Sequence, residues 1–452
     1  MYKLNEICTC EAKANSKDEF VGIRCEKNAE GKLETHIFFP LGYFADDKTL
    51  SETPEEELRE CIANLFSVLS DESLQDPHQD SRFSSAPAEP EEAQFPMTAY
   101  LNVIRHYLDF GYMTEKEFFH KKGAHGKVNW NRTIKETNPI VTDENNLVYL
   151  DLISRKINYN EDTLITLVHK FCVHDAFCRL GFLFGIEPTE KPLLDFDYDL
   201  FCSVIHSKLA KTFNDRDLRL LSDLARIIEF LAQKQTHDGE TAKDFYFGIN
   251  KFASVWEAMV NKIFGTVSLE DKRNYYNPHC MWVDETTNKP EKYEEDAEGD
   301  PNEKKRSTLR PDTIMINESG VFILDSKYYK FGHTQNKQHL PGADSVCKQM
   351  AYAEYIINKK EAEPFSDDTY NAFIMPYCAK ANRWKGPDEG AEMHHMRRVG
   401  HILGDWKNGQ QNYHKIVCIL LDTQSVMRNY SASIRAQKKL ANLITSGTAK
   451  VC

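Results

Sequence analysis

The chain has 452 residues, 41% of them hydrophobic and 28% charged, which is the composition of an ordinary soluble protein with room for two or three domains. Its twelve cysteines are scattered without a CxxC pair, so we expect reduced thiols in a cytoplasmic protein, with neither a disulfide framework nor a zinc ribbon. The sequence contains no run of eighteen apolar residues, which excludes a transmembrane helix.

The N-terminal 96 residues predict a small domain followed by a linker. Strand-like segments at Phe20 to Arg24 and Thr35 to Pro40 precede a helix near Glu55 to Leu69, so residues 1–70 are interpreted as a β-rich interaction domain. Residues 71–96 are rich in Ser, Pro, Asp, Glu and Gln and have little to bury, which predicts an acidic disordered linker.

Residues 97–244 predict a mainly helical middle domain. An apolar helix from Leu164 to Phe184 carries His169 and Cys172, and also His174 and Cys178, at spacings that a metal ion could use. The apolar surroundings favour packing in a core over metal binding.

A loop in the same region has the residue types of a protein interface. Lys127, Trp130, Arg132 and Lys135 mix basic and aromatic character, which is typical of interface hot spots. The alternative is that Trp130 anchors a hairpin to its own domain.

A predicted β-hairpin dominates the C-terminal region, residues 245–452. Two apolar runs flank the break Glu318-Ser319-Gly320. A Ser319-Gly320 loop sets Asp312 opposite Lys327, whereas a Glu318-Ser319 loop sets Asp312 opposite Asp325. In both registers the three polar side chains share one face, because strand side chains alternate.

This arrangement suits a divalent metal. Two opposed carboxylates at about 5 Å repel each other unless a cation lies between them, and Mg²⁺ prefers oxygen ligands of this kind, with Mn²⁺ as the alternative. Lys327 would orient the attacking water or neutralise charge on a phosphate. Taken alone, the three residues also fit a solvated surface hairpin.

Three further features favour the metal site. The run Val321 to Leu324 predicts a buried central strand, so that Asp325 emerges at its end. A helix from about Ser345 to Asn358 places Gln349 and Tyr352 on one face, beside a bound phosphate. Glu257, on an amphipathic helix before the hairpin, could add a third carboxylate, although it could equally be a solvated charge.

Together these strings resemble the PD-(D/E)xK nuclease superfamily. The resemblance rests on Arg310-Pro311-Asp312, Asp325-Ser326-Lys327, the segment from Gln349 to Tyr352 and the strand Asn371 to Tyr377. Within that superfamily the chain is similar to the McrC-type nuclease subunits of NTP-dependent restriction systems. It more narrowly resembles the LlaJI restriction endonuclease family, on the strings at residues 39–44, 126–135 and 167–172.

The resemblance implies a multidomain α+β or α/β protein. Its C-terminal PD-(D/E)xK core would be a mixed central sheet flanked by helices, and its N-terminal domains would bind a partner. Asp312, Asp325, the carbonyl of Ser326 and, more loosely, Glu257 would bind metal. Lys327 would serve catalysis. Because the chain has no GxxxxGK[ST] sequence, the motor would be a separate McrB-like AAA+ GTPase. We therefore expect a Mg²⁺-dependent endodeoxyribonuclease subunit that cuts DNA when this partner recruits it.

Charge distribution bears on DNA binding. The net charge of −13 is unfavourable for a protein that must approach phosphates, but residues 52–92 alone contribute −10 of it. From Lys380 onward, twelve Lys/Arg stand against five Asp/Glu. This basic C-terminal region, with Trp384, Trp406 and Tyr413, predicts a DNA groove, or else the solvated face of a last helix from Thr423 to Ile444.

Two other functions fit the same sequence. One is a non-catalytic adaptor that stimulates the partner NTPase and keeps the nuclease core as a scaffold. The other is a stand-alone RecB-like exonuclease with its own surface for DNA ends. Metal-dependent cleavage of circular and linear DNA separates the three hypotheses.

Overall fold

The structure is a computed structural model that describes residues 4–10, 20–27, 33–74, 95–123, 127–160, 163–190, 192, 194–234, 244–288, 290–291, 309–358, 368–381, 384 and 394–446. Its helices are α1 (Leu4–Ile7), α2 (Asp47–Glu52), α3 (Glu55–Leu69), α4 (Met97–Phe110), α5 (Trp130–Glu136), α6 (Leu164–Phe184), α7 (Tyr198–Leu209), α8 (Asp215–Gln233), α9 (Phe252–Phe264), α10 (Leu269–Asp271), α11 (Phe331–Thr334), α12 (Ala343–Asn358), α13 (Thr423–Arg428) and α14 (Ile434–Thr445).

The strands form several separate sheets. They are β1 (Cys8–Cys10), β2 (Val21–Lys27), β3 (Leu33–Phe39), β4 (Glu115–Lys122), β5 (Lys127–Val128), β6 (Ile140–Val141), β7 (Leu147–Val148), β8 (Ile153–Asn160), β9 (Phe245–Ile249), β10 (Trp282–Val283), β11 (Pro290–Glu291), β12 (Thr313–Asn317), β13 (Gly320–Ser326), β14 (Thr369–Tyr377), β15 (Arg397–Leu403) and β16 (Lys415–Asp422).

The chain divides into two compact units. The first joins Met1–Gln94 to Asp244–Cys452, and the second is Phe95–Lys243. In the first unit, β2 pairs antiparallel with β3 and also with β9, in a four-stranded sheet ordered β1-β3-β2-β9. The predicted separate domain at residues 1–70 is corrected by this pairing, because its strands share a sheet with the strand that opens the C-terminal region.

The predicted linker is only partly described. Of residues 71–96, the structure describes 71–74, 95 and 96, and residues 75–94 lie outside the described residues. The described start is a 3₁₀ turn at Glu72–Leu74. The Tyr430 hydroxyl donates to the Asp71 carboxylate at 2.6 Å, so the first linker residue is tied to the C-terminal part of the same unit.

A mixed five-stranded sheet is the centre of the first unit. Its order is β12-β13-β14-β16-β15, with β13, β14 and β16 parallel and an antiparallel strand at each edge. Every residue of β13 and β14 is buried, as a parallel strand covered on both faces requires. Each large apolar side chain buried there contributes about 1.5–3 kcal/mol.

Helices cover both faces of this sheet. On one face, α12 contributes Val346, Met350 and Ile356 to the apolar clusters built on alternate residues of the strands. On the other, Arg398 of β15 donates to the last carbonyls of α14. The sequence predicts one last helix, and this prediction is wrong: the chain forms α13 and α14, because the Ser433 side chain caps the start of a new helix by accepting from the Ala436 N–H.

The second unit is built mainly from helices α4, α6, α7 and α8, with a small sheet ordered β4-β8-β5 and a short β6–β7 hairpin. In the part of the chain that the structure describes, no helix combines the length and the apolar character needed to cross a bilayer.

Candidate functional site

The two aspartates lie opposite each other on the β12–β13 hairpin. The strands pair as far as Asn317 and Gly320, so the loop is Glu318-Ser319. Continuing the same register beyond the other end of the pairing sets Asp312 opposite Asp325. Of the two predicted loops, the structure therefore has the one that brings the carboxylates together.

Local chemistry at the turn fixes this register. The side chain of Asn317 accepts a hydrogen bond from the Ser319 N–H at 2.8 Å, which stabilises the turn. Gly320 has φ +134°, a conformation that side chains rarely adopt, and a Cβ there would collide with the carbonyl oxygen of Asp368. A one-residue slip would move the carboxylates to opposite faces.

Asp325 is held at the end of the buried strand with a lysine beside it. Its residue is 6% exposed, and the Lys327 Nζ lies 2.9 Å from its Oδ2. Burial works to lower the pKa of Lys327, but the carboxylates of Asp325 and Asp312 outweigh it and raise that pKa above its usual value. Lys327 is therefore held as a cation.

Asp312 is the side chain of the site whose ionised form is most strongly disfavoured. The residue is partly exposed, but its carboxyl group faces inward and accepts from the Ser326 N–H at 2.8 Å. Burial first, then the nearby charge of Asp325, raises the pKa of Asp312 well above its usual range, and Glu257 adds to the rise. The two carboxylates resist simultaneous ionisation unless positive charge is supplied.

Lys272 supplies part of that charge, and sequence reasoning missed it. It lies in the π-helical turn Lys272–Tyr276, is 9% exposed, and donates to the main-chain oxygen of Asp312. Burial lowers the pKa of Lys272, and the charges of Asp312 and Glu257 oppose that change. Lys272 precedes Asp312 by forty residues and belongs to no motif, so only the folded chain brings them together.

Glu257 is near the pair but is not part of a three-ligand cluster. It lies on α9, is partly buried, and its charge acts on both Asp312 and Lys272. Within the described residues, no group of three or more His, Cys, Asp or Glu side chains is arranged to hold a metal ion. Its role as a metal ligand stays a prediction.

Gln349 and Tyr352 lie on one face of α12 and contact the hairpin. The Gln349 Nε2 donates to the Ile323 carbonyl at 2.7 Å, and the Tyr352 hydroxyl donates to the Arg310 carbonyl at 3.1 Å. Both side chains therefore tie α12 to the main chain of the hairpin. Burial raises the pKa of Tyr352. Their contact with a phosphate stays a prediction.

The donor set fits a divalent cation. Asp312 and Asp325 offer carboxylate oxygens, the type of ligand that Mg²⁺ and Mn²⁺ take. The Ser326 N–H donates to the Asp312 carboxylate at 2.8 Å and so holds one of these ligands in place. The raised pKa of Asp312 means that the pair lacks positive charge, which a bound cation would supply.

His169 and Cys172, one of the two predicted histidine–cysteine pairs, are packed in the core of the second unit. His169 and Cys172 are fully buried, and the Nδ1 of His169 accepts from the Met113 N–H at 2.9 Å. Burial, with a smaller contribution from His106, lowers the pKa of His169 to about 3. A neutral histidine held by a main-chain donor is a core residue, as the apolar pattern predicts.

Much of the predicted basic groove is engaged inside the molecule. The Arg398 guanidinium donates to the carbonyls of Leu443, Ile444 and Ser446. Lys380 pairs with Glu57, and Lys407 pairs with Glu354. Trp384 Nε1 donates to the Gly332 carbonyl at 2.9 Å. These side chains therefore already have partners within the protein.

Comparison with known proteins shows which protein family the chain belongs to. A family model described as LlaJI restriction endonuclease matches residues 39–421, so the chain belongs to the LlaJI restriction endonuclease family. The match begins at Phe39, where strand β3 ends, and runs to Leu421 in the last strand of the central sheet. The two aspartates, Lys327 and Lys272 all lie within it.

Individual relatives add detail. The Type II restriction enzyme BsuMI component YdjA of Bacillus subtilis (strain 168) is 25% identical over 287 residues, which are 61% of this chain and 57% of that protein. The chain thus spans a little over half of the length of this relative. A refined half-complex of Thermococcus gammatolerans McrB AAA+ hexamers with bound McrC covers 95% of this chain and 82% of the matched chain, at 15% identity and a TM-score of 0.34.

Proposed function

We propose that this chain is the Mg²⁺-dependent DNA-cutting subunit of a restriction system, with a PD-(D/E)xK core in its central sheet. The observation that carries the proposal is the opposition of Asp312 and Asp325, with Lys327 at 2.9 Å from the second carboxylate. Paired buried carboxylates are costly to keep, and perturbed acids of this kind concentrate at functional sites. Membership of a restriction endonuclease family supports the same conclusion.

The chain would bind the metal through Asp312, Asp325 and the Ser326 carbonyl, with Glu257 as a further candidate. A divalent cation bound there would polarise the phosphate and lower the pKa of a water molecule. In the cleavage step, a water oxygen forms a bond to phosphorus, one phosphorus–oxygen ester bond breaks, and the departing oxygen takes up a proton.

Lys327 would supply positive charge in this step. Because the neighbouring carboxylates raise its pKa, it stays protonated at neutral pH and is better suited to stabilising charge than to removing a proton. Its hydrogen bond to Asp325 fixes the direction of the ammonium group. The Ser326 N–H holds Asp312 on the other strand in a similar way.

The proposed partner is an AAA+ GTPase of the McrB kind. The sequence has no GxxxxGK[ST] motif and resembles McrC-type subunits. The second unit exposes apolar side chains where the sequence predicts a partner-facing loop: Trp130 and Ile134 of α5 are each 56% exposed. A Trp more than half exposed does not anchor its own domain by burial.

Replacing Trp130 by Ala should weaken GTPase stimulation about 30-fold if it is a hot spot.

The test measures Mg²⁺-dependent cleavage of circular and linear DNA, with and without the proposed AAA+ GTPase partner. We expect Asp325→Ala to abolish cleavage and to keep partner binding, whereas Asp405→Ala, at an exposed position, should cut normally. Cleavage by Asp325→Ala at the wild-type rate would overturn the assignment. GTPase stimulation without any cleavage would favour the adaptor, and cutting of linear DNA alone would favour the exonuclease.

A further inference from the structure

The segment that follows the catalytic strand has an unusual charge pattern. From Ser326 to Ala343 there are three lysines and two histidines but no Asp or Glu, in a chain whose acidic residues outnumber its basic ones by 69 to 56. We call residues 327–342 the basic connection. It joins β13 to α12, and the structure describes all of it.

Hydrogen bonds and ring packing hold the basic connection in a defined conformation. The Thr334 hydroxyl and the His339 Nδ1 are 2.6 Å apart, and the Asn336 side chain accepts from the Gln338 N–H at 3.0 Å. Phe331 anchors it from beneath, with its ring centroid 5.4 Å from that of Trp384. Charges fixed on such a surface lose less conformational entropy on binding than charges on a free tail.

The basic connection is anchored on the same face of the sheet as the aspartates. Phe331 packs in one apolar cluster with Phe373, and Phe373 is the register partner of Asp325 on the neighbouring parallel strand. Side chains of register partners point to one face. Tyr329, which is 36% exposed, follows Lys327 by two residues at the start of the basic connection.

The last helix, which carries part of the predicted C-terminal groove, lies on the other face of the sheet. Arg398, which donates to the end of α14, is the register partner of Ile419, and the neighbours Cys418 and Leu420 are the residues that face the Phe331 cluster. Because strand side chains alternate, α14 covers the opposite face of the sheet.

The lysines of the basic connection also differ in their partners. Lys337 is exposed and Lys330 is partly exposed. Within the described residues, neither forms an ion pair with a carboxylate, whereas Lys380 and Lys407 in the C-terminal third both do. Lys330 and Lys337 therefore present charge that an external anion can neutralise.

We propose that the basic connection is the surface that holds duplex DNA at the active site, with Lys330 and Lys337 on backbone phosphates. This inference rests on the proposed nuclease function and names the DNA-contacting face. The lysines bind the charged backbone of any sequence, because phosphate contacts carry no base information. They hold the substrate on the side of the sheet where Asp325 and Lys327 lie.

The test is the salt dependence of DNA binding. Full-length protein carrying Asp325→Asn, which prevents cleavage, is titrated against a fluorescent DNA duplex from 50 to 200 mM salt, concentrations over which phosphate contacts weaken strongly. Adding Lys330→Ala and Lys337→Ala should reduce the slope of log K against log salt by about 2, since each phosphate contact contributes about 0.9. Lys330→Arg with Lys337→Arg should restore it.

The matched control removes two charges from the last helices. Arg428→Ala with Lys438→Ala, both at exposed positions, should leave the slope unchanged. An unchanged slope in the Lys330/Lys337 variant, an equal loss in the Arg428/Lys438 variant, or no DNA binding by the parent at 50 mM salt would each overturn the proposal. The nuclease function fails by a different result, cleavage that persists in Asp325→Ala.

Discussion

Each unit of the molecule contains a close pair of titratable side chains. One pair is held without charge, whereas the other has cations beside it. In the second unit, the rings of His106 and His169 are 5.5 Å apart, and burial lowers the pKa of both. In the first unit, Asp312 and Asp325 face each other beside two lysines.

The difference separates packing from chemistry. A histidine can lose its proton and enter a core uncharged, and His169 then accepts one hydrogen bond from Met113. The aspartates instead have lysines beside them, and ion pairs of this kind are often no more stabilising than apolar side chains of similar volume. We interpret the histidine pair as structural and the aspartate pair as functional, because only the aspartates retain an electrostatic repulsion that a bound cation can relieve.

The largest expected effect is on cleavage. Lys327→Met keeps most of the side-chain volume and removes the charge beside Asp325, and we expect the cleavage rate to fall about 10²- to 10³-fold. Lys348→Met, at an exposed position on α12, is the control and should cut like the wild type. Single-turnover rates with saturating Mg²⁺ and DNA measure the change. Equal rates for the two variants would mean that Lys327 only balances charge in the fold.

The next effect concerns the buried lysine. Lys272→Met removes one of the two cations near Asp312 and the one that acts on Glu257, and should lower the free energy of unfolding by about 3 kcal/mol. Adding Asp312→Asn should restore part of that loss, because the remaining charge is removed. Urea unfolding of both single variants and the double variant measures the coupling. Strictly additive losses would show that Lys272 stabilises the fold independently of the aspartate.

The histidine pair should make the protein less stable in acid. The pKa of His169 is lowered to about 3, so between pH 6.5 and 3 the unfolded chain binds the extra proton. Stability from this group is therefore full above pH 6.5 and falls as the pH decreases, by up to about 1.4 kcal/mol per pH unit. His169→Asn, which keeps an acceptor for Met113, should reduce this acid sensitivity in unfolding curves between pH 7 and 5. A variant as acid-sensitive as the wild type would contradict it.

The smallest expected effect is a change in melting temperature on replacing Asp312, and the sign of that change distinguishes the aspartate pair from the histidine pair. The raised pKa of Asp312 means that, above pH 4, the native metal-free protein holds this proton more tightly than the unfolded chain, so ionisation costs stability as the pH rises. Asp312→Asn should therefore raise the melting temperature of metal-free protein at pH 8, by on the order of 3 °C. A lower melting temperature would indicate that the pair is stabilising as built.

Features set by neighbouring residues could be predicted from the sequence. The helix at Ala343–Asn358, the strand at Thr369–Tyr377 and the opposition of Asp312 and Asp325 all follow from short loops and apolar periodicity. Even the remaining choice of register depended on two adjacent turn residues.

Most of the features that the sequence did not predict depend on contacts between distant residues. The pairing of β2 with β9 joins segments more than two hundred residues apart, such as Val21 with Ile249, and nothing in either strand specifies its partner. Lys272 reaches Asp312 only in the folded chain. The break between α13 and α14 was missed because the Ser433 cap resembles any polar helix position.

The central claim is that Asp312 and Asp325 form a site for a divalent cation, and calorimetric titration with Mn²⁺ tests it most directly. Wild-type protein at pH 7.5 should bind Mn²⁺ in competition with Mg²⁺, while Asp325→Asn should lose that binding and Asp405→Asn should retain it. Equal Mn²⁺ affinity in the wild type and in Asp325→Asn would contradict the account, because the metal would then be held by other residues.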